Sequence, residues 1–402
     1  MALVDIPRSA SPRRLPSAAL HEFLAGLPKT VLHVHIEGSL EPPLAFALAE
    51  RNGIEPGSSR FPYATLEHLQ AAYRFADLGA FLDVYYAVAG VLRTEEDFCD
   101  LAHAYAEHLV QDNVRWAEVF FDPQTHTSRG IPLHTVVRGL NRGLQPARDR
   151  GLRVALIACI LRDAPVGAPV DLDAASPAEG FASMDKATAW ATLGQVLAYN
   201  AAAPAGERIV GLGLDSYETP YPPELFTEVY RHARTAGLHT TAHAGEEGPP
   251  AYIRTAIETL KVSRIDHGVR SLEDPELMAY LSESHDGPEM IAAYGEPHQI
   301  PLTVCPRSNY MLKVFPDPSQ SNLLTLLDRG VLVSIHSDDP AYFGGYAGDN
   351  YRAVIEWLDP SWAQLRQLAR NGVHGAWASP ADKQAVLEQI DTYLAPWADP
   401  VP

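Results

Sequence analysis

Val31-Leu32-His33-Val34-His35 reads as a buried strand that delivers two imidazoles at its end. Side chains at i and i+2 of a strand point the same way, so His33 and His35 face one side together. Three more runs share this plan: Thr240-Thr241-Ala242-His243-Ala244-Gly245-Glu246, Arg264-Ile265-Asp266-His267-Gly268 and Val333-Ser334-Ile335-His336-Ser337-Asp338-Asp339-Pro340. The full set of candidate strands is 31–35, 114–121, 153–161, 209–215, 238–243, 263–267, 301–305 and 331–336. Runs rich in Val, Ile and Leu are those of parallel strands covered on both faces. Between them, 96–111, 223–236, 249–260 and 273–283 have helical period and composition. Strand and helix alternating eight times predict an α/β fold, a (β/α)8 TIM barrel.

Three connections exceed what a minimal barrel needs. Residues 41–113 separate the first two strands and carry extra helical patterns at 42–52 and 78–91. Residues 163–208 hold a Pro/Ala/Gly-rich loop, 164–180, and then a helical stretch. Residues 284–299 form a Gly/Pro/His-bearing excursion before the seventh strand. Loops that follow strands lie on the catalytic face of a barrel, so 163–180 is expected near substrate and 284–299 on the far face. The expected organisation is a flexible arm over 1–24, one barrel over 25–395 and a tail over 396–402.

Composition narrows the function classes. The 402 residues are 46% hydrophobic and 20% charged, with a net charge of −19. A surface this acidic repels phosphate backbones and anionic membranes, which argues against nucleic-acid or membrane partners and leaves a small molecule. Cys99, Cys159 and Cys305 lack metal-type spacing and sit in apolar stretches, so they read as reduced core thiols. No run approaches the roughly 18 apolar residues of a membrane span, and the first 20 or so residues contain no continuous apolar region of a secretory signal. A cytoplasmic protein is the expectation.

Where parallel strands close into a barrel, strand ends distant in sequence converge on one face. His33, His35, His243 and Asp338 then form one ligand set. Three neutral imidazoles and a carboxylate suit zinc, and a further position for water makes such a site catalytic. Isolated His-x-His pairs are as often core features; four strand ends with metal-competent or acid-base groups at the same place are what carry the reading. Two-metal barrels commonly use a bridging lysine, whereas Lys29, Lys186, Lys261, Lys313 and Lys383 all lie off the catalytic strand ends, so one ion per chain is expected. Glu246, three residues past His243, is placed to overhang the metal as a general acid, with Glu247 turned to solvent. His267, beside Gly268, is placed to bind a metal-bound hydroxide or accept its proton. Of Asp338 and Asp339, one ligates while the other addresses substrate.

These residues resemble the adenosine/adenine deaminase family of amidohydrolase barrels over about residues 25–380. The resemblance implies that His33, His35, His243 and Asp338 bind one Zn2+, with Glu246, His267 and Asp338 as the catalytic set. It further implies that Glu246 protonates purine nitrogen 1, His267 orients and deprotonates the attacking water, and Asp339 bonds nitrogen 7. His35-Ile36-Glu37-Gly38-Ser39-Leu40-Glu41-Pro42, Phe120-Phe121-Asp122-Pro123-Gln124-Thr125-His126-Thr127 and Gly213-Leu214-Asp215-Ser216 look like the adenine branch. Nucleoside-acting members usually carry aspartate at Glu37 and Ala-Gly-Asp-Glu at Ser216-Tyr217-Glu218; both changes fall where ribose would sit and are expected to fill that space with bulkier side chains, and Glu37, Asp215 and Ser216 are expected to bind the substrate. Two departures stand out: Arg307 in Cys305-Pro306-Arg307-Ser308-Asn309, and His336 where asparagine is usual. The implied reaction is deamination of a 6-aminopurine, adenine to hypoxanthine, with adenosine or a modified adenine as alternatives. A silent purine-binding barrel is the rival of another class, and it would not need Glu246, His267 and Asp339 together.

Overall fold

The computed structural model describes residues 11–167 and 188–397. Eight strands form one sheet in sequence order: β1 Lys29–Val31, β2 Val114–Phe121, β3 Arg153–Leu161, β4 Ile209–Asp215, β5 His239–Ala244, β6 Arg264–His267, β7 Leu302–Val304 and β8 Val333–Ile335. All neighbours pair in parallel. The ring closes between the ends of β8 and β1, where the His35 N–H donates to the Asp338 carbonyl at 3.0 Å and the Asp338 N–H to the His33 carbonyl at 3.2 Å. A (β/α)8 barrel with extra helices between the first two strands is therefore the fold.

The first and last strands are shorter than the apolar runs 31–35 and 331–336 that announce them. The cause is a side chain in the seam. His336 Nδ1 accepts the Leu32 N–H at 3.0 Å, and its Nε2 pairs with Ser334 Oγ at 2.7 Å. An imidazole thus stands where a carbonyl would continue the ladder, and the chain resumes pairing only at the bridges Val34 to Asp338 and His35 to Phe120.

Below the catalytic face the barrel is plugged by a buried polar layer. Glu118 pairs with Arg264 and accepts the Trp116 indole N–H at 2.8 Å and the Trp377 backbone N–H at 2.6 Å. The Arg264 guanidinium also lies 4.1 Å from the Trp377 ring centre. A buried ion pair persists when further hydrogen bonds satisfy its members, as they do here for Glu118.

The insertion between β1 and β2 contains the helices Pro42–Arg51, Leu66–Ala72, Leu78–Ala89 and Glu95–Gln111. The last begins at a capping box in which Thr94 Oγ1 accepts the Asp97 N–H at 3.3 Å and Asp97 accepts the Thr94 N–H at 2.8 Å, satisfying two otherwise free donors of the first turn. The excursion before β7 forms the short helix Pro288–Tyr294. Its Tyr294 hydroxyl donates to the Ser263 carbonyl at 3.0 Å, just before β6, on the far face as expected.

One boundary differs from expectation. The residues from 17 to 24, placed in a flexible arm by their sequence, belong to the helix Ser17–Gly26, which buries Leu20, Phe23 and Leu24. The Phe23 ring packs 5.3 Å from Trp362 and 5.2 Å from Trp397. Prolines and arginines ahead of this helix masked its short apolar face. The expected substrate loop 163–180 falls outside the described residues from 168 onward. Among the described residues, no helix is long and apolar enough to cross a membrane.

Candidate active site

At the C-terminal mouth of the barrel, His33, His35, His243 and Asp338 bring one ligand atom each to within 4.8 Å of one another, all buried. His33 Nε2 lies 3.3 Å from Asp338 Oδ1, and His35 Nε2 lies 3.2 Å from His243 Nε2. The opposite ring nitrogens are directed outward. His33 Nδ1 meets Thr303 Oγ1 at 2.9 Å, His243 Nδ1 meets the Leu214 carbonyl at 3.0 Å, and His35 Nδ1 lies 3.5 Å from Asp215 Oδ2. With the His33 and His243 Nδ1 atoms so engaged, and His35 Nδ1 facing Asp215 without a hydrogen bond, the Nε2 atoms face one another and Asp338, the arrangement of metal-binding histidines. Among the described residues the buried His33 Nε2 has no hydrogen-bond partner, an orphan that a cation would satisfy. The donor set therefore fits a metal ion.

Glu246 hangs over this cluster from the turn after β5. Its Oε2 lies 3.4 Å from His267 Nε2, which is itself 3.7 Å from Asp338 Oδ2. Burial, and then the Asp338, Glu218, Glu247 and Asp339 carboxylates, raise the Glu246 carboxyl well above its usual range, which favours its protonated form. Burial, and then His33, pull the His267 imidazole down to about 3, so the ring stays neutral. Asn309 Nδ2 lies 3.4 Å from Glu246 Oε1 and 3.3 Å from His267 Nδ1, tying acid and imidazole to one amide.

A cavity opens beside the cluster, lined by His35, His243, Glu246, His267, Asp338 and Asp339 on the metal side. Asp122, Asp215, Ser216 and the apolar face of the helix Leu78–Ala89, including Phe81, Leu82 and Tyr85, form the other walls. Tyr86, on the same helix, hydrogen-bonds Ser216 Oγ at 3.0 Å and latches the helix onto the barrel. Asp339 reaches its place only because residue 38 is glycine: a Cβ there would stand 1.9 Å from Asp339 Oδ1.

The structure thus gathers His33, His35, His243, Glu246, His267, Asp338, Asp339, Asp215 and Ser216 in one place. Glu37 stands one layer back. Its Oε1 accepts the Asp122 N–H at 3.1 Å and meets His126 Nε2 at 2.8 Å, and it does not line the cavity. Arg307 also turns away, its Nε donating to the Phe343 carbonyl at 3.0 Å. Asp122 and Asn309 are site residues to which the sequence alone assigns no role. Asp122 follows β2 as Asp215 ends β4, and that shared strand-end position was the available signal.

A closed parallel barrel with a metal-competent cluster, and a buried carboxyl and imidazole 3.4 Å apart at its mouth, defines the class: an amidohydrolase-type barrel enzyme that performs hydrolysis. The adenosine deaminase family model matches residues 28–177 and 182–393, and the chain belongs to that family. It is 43% identical to an adenine deaminase of Paraburkholderia xenovorans, over 94% of this chain and 97% of that protein. It is 45% identical to an adenine deaminase of Ralstonia pickettii, over 94% and 98%. Among solved structures, the adenine deaminase of Arthrobacter aurescens superposes with a TM-score of 0.77 at 40% identity, over 92% of this chain and 99% of that one. An amidohydrolase of Burkholderia ambifaria with bound Zn superposes at 0.75 with 27% identity, over 97% and 98%. The protein is a hydrolytic deaminase.

Proposed function

We propose that the enzyme converts adenine and water to hypoxanthine and ammonia, with one zinc ion held by His33, His35, His243 and Asp338. When bound, the ion supplies a hydroxide near neutral pH by lowering the pKa of water toward 7. Around it, the side chains divide the proton work. His267 orients the attacking water and takes its proton, Glu246 protonates ring nitrogen 1, and Asp339 hydrogen-bonds nitrogen 7. Addition at carbon 6 and loss of ammonia complete the exchange. The ligand arrangement and the relative with bound Zn support zinc as the ion.

The observation that carries the choice of a free base is the pair Asp122 and Asp215. Both carboxylates line the cavity, and among the described residues Asp122 Oδ1 and both Asp215 oxygens make no hydrogen bond, although His35 Nδ1 lies 3.9 Å from the first and 3.5 Å from Asp215 Oδ2. Burial and the Asp122 charge raise the Asp215 carboxyl well above its usual range. With the Asp122 carboxyl held below its usual range despite burial, chiefly by His35, and Asp215 raised, the pair favours sharing one proton, a donor and an acceptor that complement nitrogen 3 and the N9–H of adenine. A nucleoside has no N9–H, and its ribose would enter the space closed by Ser216 and Tyr86. Buried polar groups left unpaired discriminate strongly.

Ammonia release from a panel of aminopurines and nucleosides tests this reading. The expected kcat/KM for adenine exceeds that for adenosine by at least about 100-fold. Asp122→Asn should narrow that ratio by weakening adenine alone. Comparable or greater kcat/KM for adenosine overturns the free-base assignment.

A further inference from the structure

The turn that carries Glu246 is wrapped around another side chain. Glu218, only 2% exposed, accepts the four consecutive backbone N–H groups of residues 245–248: Gly245 at 2.5 Å through Oε1, and Glu246, Glu247 and Gly248 at 3.1, 2.9 and 2.8 Å through Oε2. Successive N–H groups directed at one point form an anion-binding nest, and here its occupant belongs to the chain itself. The backbone is shaped for it at both ends. Gly245 takes a φ of +74°, and a Cβ at Gly248 would stand 2.4 Å from Glu218 Oε1. The fully buried Arg162 supplies a cation beside the same segment and donates to the Tyr221 carbonyl at 3.1 Å.

Glu218 does not line the substrate cavity. Its sequence position within Ser216-Tyr217-Glu218 read as bulk in the ribose space, but the side chain turns the other way, toward β5. The turn it holds ends β5 and leads into the helix Pro250–Glu258, with no regular ladder of its own between. Without the carboxylate, four adjacent donors at the mouth of the barrel would lose their acceptor.

We propose that Glu218 is the positioning residue of the proton donor: by fixing the backbone of residues 245–248, it sets the direction from which Glu246 meets the substrate. The proposal rests on Glu246 being that donor. Charge-assisted bonds to backbone N–H groups are strong and short, so one carboxylate can hold the whole turn rigid. Misplacing a catalytic group by about 1 Å costs on the order of 10²-fold in rate.

A double-mutant cycle in the metal-loaded enzyme tests it. Glu218→Gln sets an amide NH2 against donors, and should lower kcat by about 10- to 100-fold while KM moves less than about threefold. Zinc content should be unchanged. Glu218→Asp, which keeps the charge but falls one methylene short, should recover part of the loss. In the Glu246→Gln background, adding Glu218→Gln should lower kcat by less than about threefold, because the group it positions is already disabled. Full multiplication of the two losses would make Glu218 a general structural residue and overturn the proposal. Parental kcat in Glu218→Gln beside an impaired Glu246→Gln would also overturn it. Parental kcat in Glu246→Gln would instead remove the acid assignment on which it stands. Gly248→Ala, which crowds the carboxylate from the opposite side, runs the same cycle should Glu218→Gln fail to fold.

Discussion

Glu246 and His33 separate two kinds of loss at the residue scale. Glu246→Gln keeps the shape of the side chain but removes its acidic proton, so turnover should fall by about 10²-fold or more with zinc retained. His33→Ala removes a proposed ligand whose Nε2 has no hydrogen-bond partner among the described residues, so both metal and turnover should be lost. Metal analysis beside steady-state kinetics distinguishes the two, and a Glu246→Gln enzyme with near-normal turnover would assign the acid elsewhere. The same scale shows what was legible in the sequence. His33 and His35 could be read because strand periodicity fixes their common side. His243 and Asp338 could be read because parallel strand ends converge. Glu218 could not: it follows Ser216, which takes a φ of +67°, and after such a turn no repeat dictates where a side chain points.

At the scale of elements, the β1 and β8 seam is where sequence and structure part. The apolar runs there predict longer strands, and they remain buried, but the His336 imidazole replaces a backbone acceptor for Leu32. Hydrophobic pattern reports burial and says little about which group accepts a given N–H. His336→Ala should leave the Leu32 N–H unpaired in the core, lowering the unfolding free energy by about 1–3 kcal/mol. Urea unfolding of the metal-loaded protein measures this, and an unchanged midpoint would mean that Leu32 finds another acceptor. Glu37 has a comparable lesson. It is expected against the substrate, but its carboxylate bonds the Asp122 N–H and His126, so it stands behind the cavity wall.

For the whole molecule, the ligand set makes one strong demand. Purified active protein should carry about one zinc equivalent per chain, and a chelator should abolish turnover that added zinc restores. Elemental analysis with reconstitution checks it, and full activity in stripped protein would refute the mechanism. The barrel itself was readable because eight buried runs alternate with helical ones, whereas the docking of the N-terminal helix through Phe23 depends on Trp362 and Trp397, far along the chain. The closing bonds of the ring have a wider consequence. They join the backbones of His33 and His35 to Asp338, and the side chains of these same residues belong to the cluster that could hold a metal ion. An ion held there would bridge the first and eighth strands, about three hundred residues apart in sequence, and by binding only the folded chain would stabilise their junction. Metal loss should therefore register far from the chemistry, as faster amide hydrogen exchange along the β1 and β8 seam while the centre of the sheet stays protected.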